Sequence, residues 1–480
     1  MSKESKGFLW SAIDHFSVQG INFLLSIIIA RLVSPSAYGI IVLIQVFISF
    51  AQLFIDSGFK SALIQKTDRT DIDYYTVFNF NFAVALLLYL VMFFSAPYIA
   101  NFYNEPELIA LTRVIALNLI FSSLSIIQLV RLQSKLDFKT QAKARIISVL
   151  LSGTVGITCA YNGLEVWALV IQGLINTLTT SLLLMLFSQW MPRLQFSLES
   201  FKKLFALGAK ILFGNFLTNC YIQLTNMIIG KFYTPSQLAY YNRAFTLSMV
   251  PSTSITEVIL RTAYPVYCNL QNNRSELIKK YNQYTRIACL IIFPLVGLTG
   301  VLATPLIIVV LTEKWIDIAP LLSIFCLVFA PYPIFCNAGN IIAAKGEGGI
   351  IAKSTILKRI VAFCILLSTI FISVKAVVIG LVFSNLCELL ISLWCVQKVM
   401  SYPILKQMKV FVDILLISFI SSLLAWGGTF VFTTHCLQLI AGIIIGTTSY
   451  TAFLFLFKIE ERKYLLNMLR QVKTRRQNYR

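Results

Sequence analysis

The sequence predicts an all-α membrane protein with about fourteen transmembrane helices, arranged as two similar halves. The chain of 480 residues is 58% hydrophobic and 12% charged, with a mean hydropathy of +0.79, whereas soluble domains carry roughly 25% charged residues. Its apolar residues form continuous runs of about 20, the length a helix needs to cross a ~30 Å hydrocarbon core. Residues 28–36 (IIARLVSPS) resemble residues 228–236 (IIGKFYTPS) at an offset of 200, which indicates a duplication.

The candidate spans are apolar throughout rather than at alternate residues, which favours helices over the strands of a barrel. The first half supplies six of them, at residues 8–30, 39–59, 76–100, 108–130, 146–161 and 165–188. The second half supplies eight, at residues 204–229, 238–262, 284–311, 317–343, 354–374, 376–397, 410–432 and 437–457. We expect the run from Gly7 to Ala30 to be the first span, because it is too long for the apolar core of a signal peptide.

The positions of the cations predict the orientation of the chain in the membrane. Clusters such as Lys135, Lys139 and Lys143 follow even-numbered spans, whereas the opposite loops hold few cations (Arg31, Lys231, Lys314 and Lys375). Because cytoplasmic loops are enriched in Lys and Arg, both termini are predicted to be cytoplasmic. The net charge of +20 is then largely a topological signal, and it does not indicate nucleic-acid binding.

The duplication predicts the domain organisation. Residues 1–200 form an N-terminal lobe of spans one to six, and residues 201–400 form a C-terminal lobe of spans seven to twelve. Six helices separate the copies, so the two repeats have the same topology and are parallel. Spans thirteen and fourteen, at 401–457, are an appendage, and the basic tail at 458–480 is expected to lie on the anionic cytoplasmic leaflet.

Two polar stripes run along the first helix of each half. In span one and in span seven, polar residues recur every three or four positions, which keeps each set on one helix face. These residues are Ser11, His15, Gln19, Asn22 and Ser26 in span one, and Asn215, Asn219, Gln223 and Asn226 in span seven. The offset of 200 aligns His15 with Asn215 and Gln19 with Asn219. Since hydrocarbon offers no hydrogen-bond partners, the stripes predict facing walls of a polar cavity; the alternative is that they hold neighbouring helices together.

Ionisable residues within the spans are further candidates, because each is costly near the centre of a membrane helix. Asp14 and Glu388 could bind a coupling cation or a proton, and Lys210, Arg113 and Arg243 could bind an anion. The arginines lie near helix ends, so they could equally extend to the membrane surface. Glu257 and Arg261 are four residues apart and are interpreted as a helical ion pair.

The repeated block itself has a structural interpretation. Ser34-Pro35 and Thr234-Pro235 should each end a helix, because the residue before a proline avoids the α-helical region. Arg31 and Lys231 then lie where cations interact favourably with a helix C-terminus. The alternative is a paired anion site at the outer mouth.

No catalytic, metal-binding or cofactor-binding residues are predicted. The chain lacks a Gly-x-x-x-x-Gly-Lys loop, and its ten cysteines include no Cys-x-x-Cys pair. His15 and His435, which are the two histidines, have no local spacing to a cysteine that suits zinc. The cysteines are expected to be small packing residues.

Several motifs resemble those of the multidrug, oligosaccharidyl-lipid and polysaccharide exporter (MOP) superfamily, and of its Wzx-type polysaccharide flippases in particular. In the first half they are ARLVSPSAYG at 30–39, DSG at 56–58 with ALIQ at 62–65, and WALV at 167–170. In the second half they are IGKFYTP at 229–235 and YYNRA at 240–244. The resemblance covers roughly residues 7–400.

The resemblance implies two six-helix lobes around a central cavity that opens alternately to each side of a bacterial inner membrane. It also implies an undecaprenyl-pyrophosphate-linked oligosaccharide as the cargo, for surface polysaccharide or lipopolysaccharide synthesis. The partners would be membrane lipids and polysaccharide polymerase or assembly proteins. Two alternatives remain: a multidrug or cation-coupled antiporter of the same superfamily, and an integral-membrane glycan polymerase or acyltransferase. The cations within the spans disfavour cationic cargo, and the short outer loops disfavour an enzyme.

Overall fold

The protein is helical wherever the structure describes it, and this confirms the predicted all-α class. The computed structural model describes residues 3–56, 58–66 and 68–457, without the side chains of residues 3–9, 11–16, 61, 207, 210, 211, 213–215, 217 and 218. No strand occurs in those ranges. The basic tail at 458–480 lies outside them. By contacts within the chain, the molecule divides into two compact units, unit 1 (1–239) and unit 2 (240–480).

Unit 1 is built from nine helices and the first residues of a tenth. They are α1 (Lys3–Leu32), α2 (Pro35–Asp56), α3 (Phe59–Gln65), α4 (Asp71–Tyr103), α5 (Leu108–Ile115), α6 (Leu117–Ser134), α7 (Phe138–Tyr161), α8 (Glu165–Ser188), α9 (Leu198–Phe232) and α10 (Pro235–Asn269). Helix α7 packs on α1 and α8, and α9 packs on α2, α3 and α4. Helix α9 therefore belongs to unit 1, although it contains the first span after residue 200. The predicted boundary at residue 200 refers to where the sequence repeat begins, and it stays a prediction.

Unit 2 continues α10 and adds nine helices and a single 3-10 turn at Glu313–Trp315. The helices are α11 (Arg274–Val301), α12 (Ala303–Leu311), α13 (Ile318–Phe329), α14 (Tyr332–Ala344), α15 (Gly348–Thr369), α16 (Val374–Met400), α17 (Ile404–Met408), α18 (Val412–Thr429) and α19 (His435–Leu456). Helices α18 and α19 pack on each other and on α11. An ion pair of 2.8 Å between Arg286 Nη2 and Asp413 Oδ2 joins α11 to α18.

Every candidate span coincides with one helix or with two consecutive helices. Within the described residues, ten helices or helix pairs are long and apolar enough to cross a membrane. Spans one, seven, eight and eleven are helices that fall outside this group, so the number fourteen stays a prediction. The tenth span is interrupted around Pro331, because proline has no backbone N–H to donate and its ring disfavours a continuous helix.

The repeated Ser/Thr-Pro blocks end one helix and begin the next, as predicted. Helices α1 and α9 end at Leu32 and Phe232, and α2 and α10 begin at the prolines, where the missing N–H costs nothing. The Ser34 backbone N–H and hydroxyl both donate to Glu165 Oε2, at 3.0 and 2.9 Å.

Lys231, at the end of α9, contacts the end of α4. Its ammonium donates to the Phe102 carbonyl and lies 4.6 Å from the centre of the Phe102 ring. Carbonyls in the last turn of a helix have no partner within the helix, so a cation there satisfies one of them and interacts favourably with the helix dipole. Lys231 was predicted to interact with the C-terminus of its own helix, α9. In the structure its ammonium also interacts with the C-terminus of the neighbouring helix α4.

Gly39 allows the start of α2 to approach the start of α10 closely. A Cβ atom built on Gly39 would lie 1.8 Å from the Pro235 carbonyl oxygen. We expect Gly39→Ala to destabilise the protein by about 1–3 kcal/mol, because backbone must move to accept the methyl group. A lower melting temperature of the purified protein would show this. Gly427→Ala, at a helical glycine with nothing within 4 Å, is the control, and equal melting temperatures for the two variants would contradict the prediction.

Candidate functional site

A polar cavity of about 480 Å³ lies within unit 1, between α2, α6, α8 and α9. Its polar lining consists of amides, hydroxyls and one carboxylate: Gln45, Ser49, Gln52, Asp56, Asn118, Ser122, Asn176, Thr177 and Asn219. None of the described lining residues is a cation. Amide and hydroxyl groups can both donate and accept hydrogen bonds, so the cavity suits an uncharged ligand rich in hydroxyl groups.

Helix α2 supplies the longest polar wall of this cavity. Gln45, Ser49, Gln52 and Asp56 follow one another at spacings of four, three and four residues, so they share one helix face. Gln52 is held between two neighbours: its Oε1 accepts from Ser122 Oγ at 3.0 Å, and its Nε2 donates to Asp56 Oδ1 at 3.5 Å. The wall is therefore positioned by rigid helices rather than by loops.

Two asparagines on the opposite helices carry side-chain oxygens without partners. Asn118 Oδ1 and Asn176 Oδ1 are inaccessible and accept no hydrogen bond from the described part of the protein. Such groups are rare in folded proteins and are costly to leave unpaired. Their presence beside the cavity is consistent with a site whose hydrogen bonds are completed by a ligand or by water.

The polar wall of α2 ends at a charged residue, Asp56. Asp56 is the last residue of the helix, and Gly58, at φ +69°, turns the chain into α3. Burial of Lys60, on α3, lowers the pKa of its ammonium, while the negative charge of Asp56 acts in the opposite direction. Asp56 lines the cavity and Lys60 does not.

Among the stripe residues whose side chains the structure describes, Asn219 on α9 is the one that lines this cavity. Gln19 and Asn22 on α1 are exposed, Gln223 is half-buried, and Asn226 is 7% exposed. The buried Asn226 fits a role in helix packing. The side chains of Asp14, His15, Lys210 and Asn215 lie outside the described residues.

The two predicted anion-binding arginines lie against aromatic rings. On α5, the Arg113 guanidinium lies 4.4 Å from the centre of the Phe93 ring, and its Nε donates to the Phe93 carbonyl at 3.3 Å. On α10, the Arg243 guanidinium lies 6.0 Å from the centre of the fully buried Trp315 ring. These contacts are cation–π interactions, and they give both arginines a structural role beside the predicted one.

Glu388, a predicted coupling-ion residue, forms an ion pair between α15 and α16. Its Oε1 lies 3.5 Å from Lys358 Nζ, and the two side chains are 18% and 15% exposed. The Lys358 ammonium also donates to Ser392 Oγ at 2.8 Å. The negative charge of Glu388 is therefore already balanced by a neighbouring helix.

A second cavity, of about 270 Å³ and mostly apolar, lies within unit 2 between α11, α13 and α18. Its walls include Phe293, Val296, Leu327, Leu415 and Phe419, with the small residues Gly297 and Gly300 between them. This lining suits a hydrocarbon chain and has little to offer a sugar or a phosphate.

The polar wall on α2 was not among the predicted site residues, although the sequence contains its signal. Gln45, Ser49, Gln52 and Asp56 recur with the same spacing as the stripes in spans one and seven. Polar residues also recur every three or four positions on α6 (Asn118, Ser122, Ser125) and on α8 (Gln172, Asn176, Thr180), and these too were not among the predicted site residues. Only the packing of these helices against α2 shows that they belong to one site.

Comparisons with known proteins are consistent with this architecture. A family model described as polysaccharide biosynthesis protein matches residues 28–320. The chain is 28% identical over 301 residues to the teichuronic acid biosynthesis protein TuaB of Bacillus subtilis (strain 168), a match spanning 62% of each chain. It is 23% identical to the succinoglycan biosynthesis transport protein ExoT of Rhizobium meliloti (strain 1021), over 97% of this chain and 95% of ExoT.

Two solved structures share the fold. The lipid II flippase MurJ, in an inward closed conformation, matches with a TM-score of 0.76 at 15% identity, covering 95% of this chain and all of MurJ. A multidrug resistance MATE family transporter of the MOP superfamily, in an inward-facing conformation, matches with a TM-score of 0.62 at 16% identity over 80% of this chain and 95% of the transporter.

The chain therefore has the fold of these two solved membrane proteins. The chain belongs to the polysaccharide biosynthesis protein family, whose model matches more than half of its length, and it is 23% identical over 79% of its length to the lipopolysaccharide biosynthesis protein WzxC of Escherichia coli (strain K12). This confirms the resemblance found in the sequence motifs. The family points to a transporter rather than to a catalytic enzyme.

Proposed function

We propose that this protein is a flippase that moves an undecaprenyl-pyrophosphate-linked oligosaccharide across a bacterial inner membrane by alternating access. The observation that carries the proposal is the unit-1 cavity, with nine polar residues among its lining and no cation among those described. Such a site inside a bundle of membrane helices is suited to the hydroxyl groups of a glycan.

The apolar cavity of unit 2 supports the lipid part of this proposal. Its hydrocarbon lining gives a polyprenyl chain a place to pack while the glycan crosses. The partners in this role are membrane lipids and the polysaccharide polymerase or assembly proteins that receive the glycan. The cytoplasmic position of both termini is part of the same proposal.

Reconstitution into liposomes tests the proposed function. A lipid-linked oligosaccharide with a fluorescent sugar label is placed in both leaflets, and a membrane-impermeant reagent that quenches the label is then added outside. We expect the protein to raise the quenched fraction from about half toward completion, whereas protein-free liposomes stay at half. The antiporter makes a different prediction: proteoliposomes with an imposed proton or sodium gradient would accumulate a cationic dye and would not move the glycan. That result would contradict the proposal.

A further inference from the structure

Unit 2 contains a polar cavity of its own, of about 510 Å³, between α10 and α14. Its lining includes Glu257, Arg261 and Tyr264 on α10, and Tyr332 and Asn340 on α14. Unlike the unit-1 cavity, it presents both a carboxylate and a guanidinium together with two tyrosine rings. We propose that this cavity is a second saccharide subsite, which takes one uncharged sugar residue of the transported glycan by holding neighbouring hydroxyls between Glu257 and Arg261. The inference rests on the proposed function.

A similarly spaced acid–base pair occurs in unit 1. Asp56 and Lys60 are four residues apart, as Glu257 and Arg261 are, although the offset of 200 that aligns Pro35 with Pro235 places Thr256 and Leu260 opposite them. In unit 1 the helix ends at Asp56, and Gly58 directs Lys60 away onto α3. In unit 2 helix α10 continues, so both charged residues line the cavity. Of these two acid–base pairs, the one in unit 2 has both members in the lining of one cavity, whereas in unit 1 Asp56 alone lines the cavity.

The geometry of the pair leaves its polar atoms accessible to a ligand. Arg261 Nη2 and Glu257 Oε2 are 4.0 Å apart, and the side chains are 74% and 60% exposed. Exposed pairs at this distance contribute little to stability, so packing does not explain their position at the cavity. A sugar hydroxyl both donates and accepts hydrogen bonds, so one hydroxyl can donate to the carboxylate while its neighbour accepts from the guanidinium.

Three other groups fit the same ligand. Thr256 is 1% exposed and lines the cavity, and its hydroxyl has no hydrogen-bond partner in the described part of the protein. The rings of Tyr264 and Tyr332 offer flat apolar surface to the C–H face of a pyranose, and the Asn340 amide adds a donor and an acceptor. Aromatic surface with a few placed polar groups is the usual composition of a small-ligand site.

The charges disfavour an anionic ligand such as pyrophosphate or a uronate. Glu257 balances Arg261 within the cavity, and Lys358 is paired with Glu388 at 3.5 Å. Both carboxylates lie near enough to the Tyr332 hydroxyl to act on it electrostatically. An added anion would therefore be attracted by Arg261, whose charge Glu257 already balances, and repelled by the nearby carboxylates.

Ligand-observed NMR on the full-length protein in nanodiscs tests the subsite. The probes are the methyl glycosides of glucose, galactose and N-acetylglucosamine, methyl glucuronide, and inorganic pyrophosphate, all at millimolar concentration. To isolate unit 2, the measurements use a background with Gln52→Leu and Asn219→Leu. We expect saturation transfer to at least one neutral glycoside, reduced about fivefold or more by Glu257→Gln and by Arg261→Gln.

Two further variants separate recognition from folding. The exchanged pair, Glu257→Arg with Arg261→Glu, keeps both charges at the cavity and should retain at least about half of the signal. Glu276→Gln removes an exposed carboxylate that pairs with Lys279 at 3.8 Å, away from the cavity, and should leave the signal unchanged. Two results would overturn the inference. One is an unaltered glycoside signal in both Glu257→Gln and Arg261→Gln. The other is that pyrophosphate or methyl glucuronide binds in a way that depends on Arg261, while the neutral glycosides do not bind.

The liposome assay distinguishes failure of the subsite from failure of the proposed function. If Glu257→Gln and Arg261→Gln transport the lipid-linked glycan at the wild-type rate while the unit-1 variants do not, the second subsite is wrong and the flippase stands. If the wild-type protein itself does not move the glycan, both proposals fail.

Discussion

Replacing both Gln52 and Asn219 by leucine is expected to slow glycan transport about 100-fold while leaving the protein folded. Each amide offers hydrogen bonds to a bound glycan, and losing one costs about 1.5 kcal/mol, or roughly tenfold in binding. The double variant should therefore transport about 100-fold more slowly. The two residues lie on different helices, α2 and α9, and meet at one cavity.

Stability should change little in these variants. Leucine is a strong helix former, and Ser122, which donates to Gln52, also donates to the Leu119 carbonyl at 3.1 Å and so keeps a partner. Gln65→Leu, at the exposed end of α3, is the matched control and should transport normally. Transport rate in liposomes and melting temperature are measured together. Normal transport by the double variant would remove the unit-1 cavity from the pathway.

Lys358→Met is expected to destabilise the protein more than any other single substitution proposed here. It leaves the Glu388 carboxylate without its cation in a position that is 18% exposed. Removing one partner of a fully buried ion pair costs about 3–5 kcal/mol, because the remaining charge is uncompensated; this pair is half-buried, so we expect a cost near the lower end of that range. The expected result is a large drop in melting temperature and in membrane abundance.

The double variant Lys358→Met with Glu388→Leu should recover most of this loss, because apolar replacement of both partners is often neutral. Lys279→Met, in a pair whose lysine is 74% exposed, should cost at most about 1 kcal/mol. Melting temperatures of the three variants provide the comparison. A Lys358→Met protein as stable as the wild type would show that the pair does not hold α15 to α16.

The same double variant tests the coupling-ion hypothesis for Glu388. A residue that binds a coupling cation or proton cannot be replaced by leucine without loss of gradient-driven transport. If the double variant is stable and transports the glycan at the wild-type rate, Glu388 is a structural residue. If it is stable but no longer responds to an imposed gradient, Glu388 keeps the role predicted from the sequence.

Most of the helical architecture was predictable because the membrane imposes it on the sequence. A helix must be about 20 residues long and apolar to cross the hydrocarbon core, so the runs of apolar residues mark the helices directly. Pro35 and Pro235 mark the starts of two helices, whereas Pro97, Pro251 and Pro294 lie inside helices. The basic loops and the 200-residue offset are also local features of the sequence.

The composition of the site was less predictable, because burial depends on which helix faces which. Asn219 and Asn226 lie seven residues apart on one predicted stripe, yet the first lines the unit-1 cavity and the second is 7% exposed. Arg113 was a candidate for binding an anion, but a neighbouring ring and carbonyl on α4 already contact its guanidinium. Periodicity places a residue on a helix face but does not reveal the surface opposite.

The sequence by itself determined the class of this protein: a helical membrane transporter with an internal repeat and motifs of the polysaccharide exporters. Hydrophobic length is sufficient to predict the membrane helices, since it depends on a few consecutive turns of the chain, whereas the transporter class was indicated by the resemblance of the motifs. The tertiary structure decided that α2, α6, α8 and α9 share a cavity and that Glu388 is paired with Lys358. Those facts depend on contacts between residues far apart in the chain, and such contacts are set by the packing of whole helices.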